Sequence, residues 1–598
     1  MDTIIQQKKA YSFLDFLKIS FRISPVSSAF KLGNEILGAI VPSLQVLVTA
    51  QFIDTALAIF GGTKSQADLL TPLLLLMLFV AYSGLNRQLI SYANLKYEMN
   101  LTRVYRSAMA EKRARLEYRH IENNETWDLL TRTCTDPVKK ISAGFTSITD
   151  SVNIILRVFS LLFVLMAQVW WAGIAIVAIS APLFYLAAQG GKATYEANVE
   201  AQKYTRRATY LQTVLQSREN VEERALFGYT DSVNENWHEK FESSRKINLK
   251  VSLKYFIRMK SSSVLTAVLS LIIMAVLLFP LSTAAITIGM FLGLVSATIS
   301  LIQMMSWQLT NAMKNLAESK EYLKDLSAFS TLSETEGALD LPCRPEEITF
   351  NTIDFVDVSF RYPQTDTYIL RHFNLHFEKN LHYAFVGING AGKTTITKLL
   401  TGLYDNFEGE ILINNKTIRE YSQAQLKALF SVVYQDFAKY SVTMRDNIAL
   451  GNVLEDDEEG IQKAASLIGL EEAIANLPQG MDTPLGKIKA NGSDLSGGQW
   501  QRVAIARALY NPAEICILDE PTAALDPIAE SNIYKMFARI SRGKSTIFIT
   551  HRLGAARLAD EIIVVDQGRV AEQGSHDRLL SQDGIYREMF DAQRSWYQ

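Results

Sequence analysis

Apolar positions crowd into the first half of the chain. Residues 36–60, interrupted by Pro42, Gln45, Gln51 and Asp54, and residues 69–90 each form a run long enough for a bilayer core, which takes about 20 helical residues to cross. Residues 154–188 make a run of 35, too long for one crossing at about 1.5 Å per residue. It divides at Gln168-Val169-Trp170-Trp171-Ala172-Gly173, where the indoles suit a membrane–water interface. Residues 264–279 and 284–307 form a further pair joined by Pro280-Leu281-Ser282-Thr283. The pattern therefore predicts six spans. Ahead of them, Phe13, Leu14, Leu17 and Phe21 share one helical face, as in a helix lying along the interface.

The connections alternate in size and charge. The loop at 61–68 has only Lys64 as a basic residue, and the connections between spans 3 and 4 and spans 5 and 6 have none. Residues 91–151 carry ten Lys or Arg and residues 189–262 carry thirteen. The positive-inside bias puts both long loops and both termini in the cytosol. Each long loop reads as polar helices with a short crosswise helix, at 121–130 and at 227–237, tipped by Trp127, Phe227 and Trp237. Solvated hairpins would look similar; the exposed aromatics favour docking.

After a helical stretch at 308–332, the Gly, Pro and acidic content of 333–345 marks a linker. From residue 349 short β-rich runs alternate with helical ones, the pattern of an α/β domain. The expected organisation is a transmembrane domain at 1–332, a linker at 333–348 and a second domain at 349–598.

The second domain carries the chemistry. Val386-Gly387-Ile388-Asn389-Gly390-Ala391-Gly392-Lys393-Thr394-Thr395 matches GxxxxGK[ST], between a strand pattern and a helix pattern. Its glycines let backbone N–H groups close on phosphate oxygens, and the helix start adds its dipole. Lys393 then neutralises the β/γ charge and the Thr394 hydroxyl binds Mg²⁺. Ile515-Cys516-Ile517-Leu518-Asp519-Glu520 is a buried strand ending in two carboxylates: one to hold Mg²⁺, one to polarise an attacking water. Leu495-Ser496-Gly497-Gly498-Gln499 opens a further helix and offers a second phosphate cradle.

Composition narrows the class. The chain has 598 residues, a length that argues against one compact core, and is 48% hydrophobic and 20% charged. Mean hydropathy is +0.06, between a soluble enzyme and a wholly membrane-embedded chain. The formal charge of −2 gives no basic excess for nucleic acid. Three cysteines, Cys134, Cys343 and Cys516, make neither a disulfide framework nor a metal spacing.

The order P-loop, Gln435, LSGGQ, Asp519-Glu520, Asp526, His551 resembles the ATP-binding cassette (ABC) superfamily over residues 350–598. Six spans ahead of one cassette resemble the half-size exporter layout, so the expected fold is an α-helical transmembrane domain of six spans with long cytosolic extensions plus an α/β P-loop cassette. The resemblance implies an adenine stack on Tyr362, a Gln435 contact to Mg²⁺ and the membrane domain, Mg²⁺ on Asp519, a general base in Glu520, a γ-phosphate contact from His551, and Asp526 in the loop between paired cassettes. The expected ATP-binding residues are Gly387, Asn389, Gly390, Ala391, Gly392, Lys393, Thr394 and Thr395, with Ser496, Gly497, Gly498 and Gln499. Three positions depart from the family pattern: Ala523 for Ser, Trp500 for a basic residue, and Lys487 and Lys489 where an acidic residue is usual in the loop at 486–492.

One P-loop and one signature cannot close an ATP site shared between cassettes, so a second half-transporter subunit is implied, with a homodimer preferred over a heterodimer. The stretches 435–440 and 443–448 look similar to bacterial exporters of modified peptides. The reading is an ATP-driven exporter in a bacterial cytoplasmic membrane, moving a peptide, lipid or amphipathic small molecule. An importer on the same fold and a non-transporting ATP-gated regulator are the alternatives. No nucleic-acid partner is expected.

Overall fold

The computed structural model describes residues 8–168, 203–218, 220–304, 308–487, 491–521 and 544–595, with scattered positions between 170 and 201. The expected fourth span, Lys489, Ala523 and Asp526 lie outside the described residues. Two compact units emerge: Met1–Arg113 with Glu125–Leu332, and Ala114–Asn124 with Ser333–Gln598.

The first unit is helical. Helix α1 (Phe13–Ile23) starts at a Ser12–Asp15 capping box and buries Phe16 and Ile19. Phe16 enters because Gly144 has no side chain: a Cβ there would lie 2.3 Å from the Phe16 ring. Helices α2 (Pro25–Phe60), α3 (Leu70–Leu101) with its continuation α4 (Ser107–Arg115), and α7 (Pro137–Gln168), which follows the short α5 (Tyr118–Glu122) and α6 (Asn124–Cys134), supply three stretches long and apolar enough to cross a membrane among the described residues. Two further helices, Thr230–Ser282 and Ile288–Gln303, cover the last expected pair of spans.

Polar groups tie these helices together. Ser43 donates to Ser160 across α2 and α7 at 2.7 Å, and the Asn153 amide donates to the Glu35 carbonyl at 2.7 Å. Asp54 accepts from the Gly289 N–H at 2.7 Å and the Thr287 hydroxyl at 2.5 Å, joining the end of α2 to the start of the helix Ile288–Gln303. A Cβ at Gly289 would lie 2.1 Å from the Ala50 carbonyl, so the two backbones meet there, as small residues allow between helices in lipid.

The second unit is α/β. A six-stranded sheet runs β10 (Arg569–Gly574), β9 (Glu561–Asp566), β3 (His382–Val386), β8 (Ser545–Ile549), β7 (Ile515–Asp519), β6 (Phe430–Val433). Only β10 is antiparallel to its neighbour. Alternate residues feed two cores. Ala384, Val386, Cys516, Leu518 and Phe548 point into one, while Tyr383, Phe385, Ile515, Ile517 and Ile549 point into the other. Burial on both faces is why these strands read as continuous apolar runs. The second core is closed by an antiparallel sheet in the order β2 (Leu370–Glu378), β1 (Thr352–Phe360), β4 (Glu408–Ile413), β5 (Lys416–Thr417).

Candidate nucleotide site

Four neighbouring parallel strands end at the site. The P-loop leaves β3 after Val386, Gln435 lies two residues beyond β6, Glu520 follows β7, and His551 lies two residues beyond β8. Ligands of open α/β sheets bind at the carboxyl ends of the strands, so adjacency in the sheet makes one site from four distant segments.

The P-loop needs its glycines. Gly387 has φ 150° and a Cβ there would lie 2.2 Å from the Val565 carbonyl; Gly392, with φ 106°, would meet Leu370 at 2.9 Å. Asn389 and Gly390 are exposed, Ala391 is buried, and the helix Lys393–Leu400 begins directly after the loop. The Lys393 ammonium is buried and donates to the carbonyls of Gly387 and Ile388 at 2.8 and 3.0 Å. Burial lowers its pKa, opposed by Glu520 and Asp519.

Asp519 is 1% exposed. Its Oδ2 accepts from the Thr394 hydroxyl at 3.0 Å, and its Oδ1 is buried without a partner. Burial pushes its pKa up to about 6, helped by Glu520 and opposed by the Thr394 bond and Lys393. An orphaned, desolvated carboxylate oxygen beside a hydroxyl suits a small divalent cation. Among the described residues no group of three or more His, Cys, Asp or Glu could hold a metal. A cation here would take most of its oxygens from elsewhere, as Mg²⁺ does from nucleotide phosphates.

Glu520 has φ 48°, a left-handed conformation uncommon outside glycine, and its N–H is held by the Ile549 carbonyl. The Gln435 amide donates to its Oε2 at 3.1 Å, and His551 Nε2 lies 2.9 Å from its Oε1. Burial and Lys393 lower the His551 pKa against the pull of Glu520. The Tyr362 hydroxyl bonds Thr395 at 3.0 Å, attaching the expected adenine-stacking ring to the P-loop helix.

The signature lies at the start of the helix Gly497–Tyr510. Ser496 and Gln499 exchange a capping box, with bonds of 2.8 and 3.2 Å, and Ser496 and Gly497 are exposed. Trp500 faces inward, 4% exposed, and its Nε1–H donates to Asp494 at 3.1 Å. The basic residue expected there is replaced by a core anchor.

The loop tips differ from expectation. The first long loop turns at a five-residue helix, α5 (Tyr118–Glu122), and Trp127 lies on the next helix, α6 (Asn124–Cys134), under the Arg113 guanidinium. In the second loop the short helix is Val221–Phe227, closed by Gly228 at φ 60°, which the Gly-Tyr-Thr turn dictates. Trp237 lies on the long following helix, stacked on Phe241. Trp237 covers its own helix, whereas Trp127 packs under a side chain of the helix Ser107–Arg115 and is itself exposed; Leu226 and Phe227 are the exposed apolar residues of the second loop's short helix.

Sequence reasoning missed the residues that hold α5 within the cassette unit. Glu122 accepts from Lys398 of the P-loop helix at 2.5 Å and from the Tyr404 hydroxyl. Tyr118 meets the Tyr404 ring edge-on at 5.6 Å. The backbone before α5 bridges to the linker, with Leu116 paired to Glu334. The one available signal was Glu122 inside the helix expected at 121–130, with Tyr118 just ahead of it.

Residues 370–523 match the family model for an ABC transporter. The chain is 29% identical over 571 residues to the subtilin transport ATP-binding protein SpaT of Bacillus subtilis, covering 93% of this chain and 90% of that protein. It is 27% identical to the nisin transport ATP-binding protein NisT of Lactococcus lactis subsp. lactis, covering 97% and 95%. An ATP-dependent lipid A-core flippase of Idiomarina loihiensis is 34% identical over 62% of this chain and 61% of its own. A solved bacterial Atm1-family ABC exporter with ATP bound shares the fold, with TM-score 0.74 and 24% identity over 94% of this chain and 98% of that one. A P-loop, a signature and two carboxylates ordered by one parallel sheet, fused to long apolar helices, make this chain an ABC transporter of the exporter type, with an ATPase coupled to transport.

Proposed function

We propose that the chain is one half of a dimeric exporter in a bacterial cytoplasmic membrane, with its cassette and both termini in the cytosol. Its proposed cargo is a modified amphipathic peptide. The near full-length likeness to proteins named for subtilin and nisin transport supports that cargo. The observation that carries the reading is the convergence of the P-loop, Gln435, Asp519-Glu520 and His551 on the ends of four adjacent strands, in a chain that also carries helices apolar enough for a bilayer.

In this reading the buried Lys393 exchanges two loop carbonyls for phosphate oxygens when ATP enters. Thr394, Asp519 and Gln435 would hold Mg²⁺, which neutralises phosphate charge. Glu520, steadied on one oxygen by Gln435 and close to His551 on the other, accepts the proton of the attacking water. A proton on His551 Nε2 would face Glu520 in the free site and would be available to the γ-phosphate once ATP is bound. The exposed Ser496 and Gly497 offer their cradle to the nucleotide of a second copy.

The test is transport in sealed inside-out vesicles carrying the full chain, with a nisin-like peptide and ATP. ATP-dependent accumulation of the peptide inside, abolished by Glu520→Gln, supports the reading. Hydrolysis without peptide movement, or movement outward from the vesicles, rejects it.

A further inference from the structure

The Lys398 side chain lies between two things the nucleotide chemistry leaves unconnected. It sits on the P-loop helix, five residues beyond Lys393, and is 17% exposed. Its ammonium donates to Glu122 of α5 at 2.5 Å. The same ammonium lies 5.3 Å from the centre of the Tyr362 ring and 5.3 Å from that of Tyr118. Tyr362 in turn bonds Thr395 through its hydroxyl and packs edge-on against Phe360 and Tyr404, at 5.1 and 5.6 Å. Tyr404 closes the circuit by donating to Glu122. The Tyr362 ring also borders an open cavity of 490 Å³ that Lys398 does not line, which leaves room for a base.

The energetics favour a held cation. Burial opposes the Lys398 charge, but the Glu122 bond and the two phenol rings leave its pKa raised. Burial likewise opposes the charge of Glu122, and its bonds to Lys398 and Tyr404 leave its pKa lowered. Both groups are charged at neutral pH, and the cation is fixed over an aromatic ring whose orientation matters to a stacked base.

We propose that Lys398 is a positioning residue that links the seating of α5 to nucleotide affinity: it holds the Tyr362 ring in its stacking orientation only while Glu122 holds Lys398. This rests on the reading that Tyr362 stacks the adenine. Affinity couplings are reciprocal, so bound ATP tightens the cassette's hold on α5 by the same factor that α5 tightens ATP. The device senses the base, not the phosphates, because Lys398 reaches Tyr362 and not the loop carbonyls that Lys393 occupies.

The experiment measures equilibrium binding of ATP and of inorganic tripolyphosphate, which has no base, to the full chain in lipid nanodiscs in a Glu520→Gln background. Lys398→Met keeps the stem and removes the charge. The expected result is ATP binding weakened about three- to tenfold, the scale of one partly desolvated cation–π contact, with tripolyphosphate changed less than twofold. Lys398→Arg should restore ATP affinity. Glu122→Gln should weaken ATP in the same direction and add little to Lys398→Met. Equal losses for both ligands, or additive effects of the two variants, would overturn the proposal, since either makes Lys398 a structural support of the P-loop helix. Tyr362→Ala separates the layers. If it leaves ATP affinity unchanged, the adenine reading itself fails. If it weakens ATP while Lys398→Met does not, only the role of Lys398 fails.

Discussion

Asp519→Asn should make the nucleotide-free cassette more stable while disabling it. Asp519 is 1% exposed, one of its oxygens has no partner, and its pKa is pushed from 3.8 to about 6. Because the folded pKa lies above the unfolded one, the folded state binds more protons and loses stability as pH rises from about 4 to about 6. About two units at 1.36 kcal/mol each give a penalty of about 3 kcal/mol above that range. Asparagine carries no charge, keeps an oxygen for the Thr394 hydroxyl and escapes the penalty. The gain should be about 2–3 kcal/mol near pH 7.5, fall to about half near pH 5 and vanish below pH 4. Unfolding midpoints of the nucleotide-free full chain in detergent, with hydrogen exchange of β7 and β8 as the local readout, measure it. With ATP and Mg²⁺ added the order should reverse, because only the carboxylate gains from the cation. A variant less stable than wild type near pH 7.5, or an advantage that does not shrink by pH 5, would refute the reasoning.

Glu520→Gln should retain ATP and lower turnover by about 10²-fold or more, the scale of a lost general base; nucleotide occlusion and phosphate release measure the two effects. Trp500→Ala should cost the cassette about 3–5 kcal/mol, because it empties a core site and leaves Asp494 without its indole donor. Denaturation of the full chain followed by cassette fluorescence reads that loss, and a change under 1 kcal/mol contradicts the packing.

Much of this molecule is legible in its sequence, for reasons that differ by region. Strands buried on both faces, such as Ile515–Asp519, announce themselves as apolar runs, and a P-loop needs residue types that leave a fixed trace. Long apolar helices are equally visible. The loop tips were not. A five-residue helix such as α5 has no periodicity to fix its bounds, so the sequence does not reveal that α5 forms the first turn, that Trp127 lies under Arg113 of a neighbouring helix, or that Trp237 stacks on Phe241 of its own. The Glu122–Lys398–Tyr362 array was invisible for a related reason. Its members lie 276 and 36 residues apart in sequence and are ordinary residues until the fold brings them together. Asp54 shows the same limit: along the sequence it only interrupts a span, and in the fold it ties two helices by accepting from the Gly289 N–H.

The central claim is that two copies of this chain make ATP sites from the P-loop of one and the signature of the other, and that hydrolysis there drives transport. Complementation tests it directly. A chain with Lys393→Ala and a chain with Ser496→Arg each form homodimers in which both sites are broken. A heterodimer of the two places both defects in one site and leaves the other intact. Co-reconstituted and purified through two different tags, the mixed dimer should recover ATP hydrolysis and peptide transport well above either parent. A mixed dimer as inactive as both parents would contradict the account.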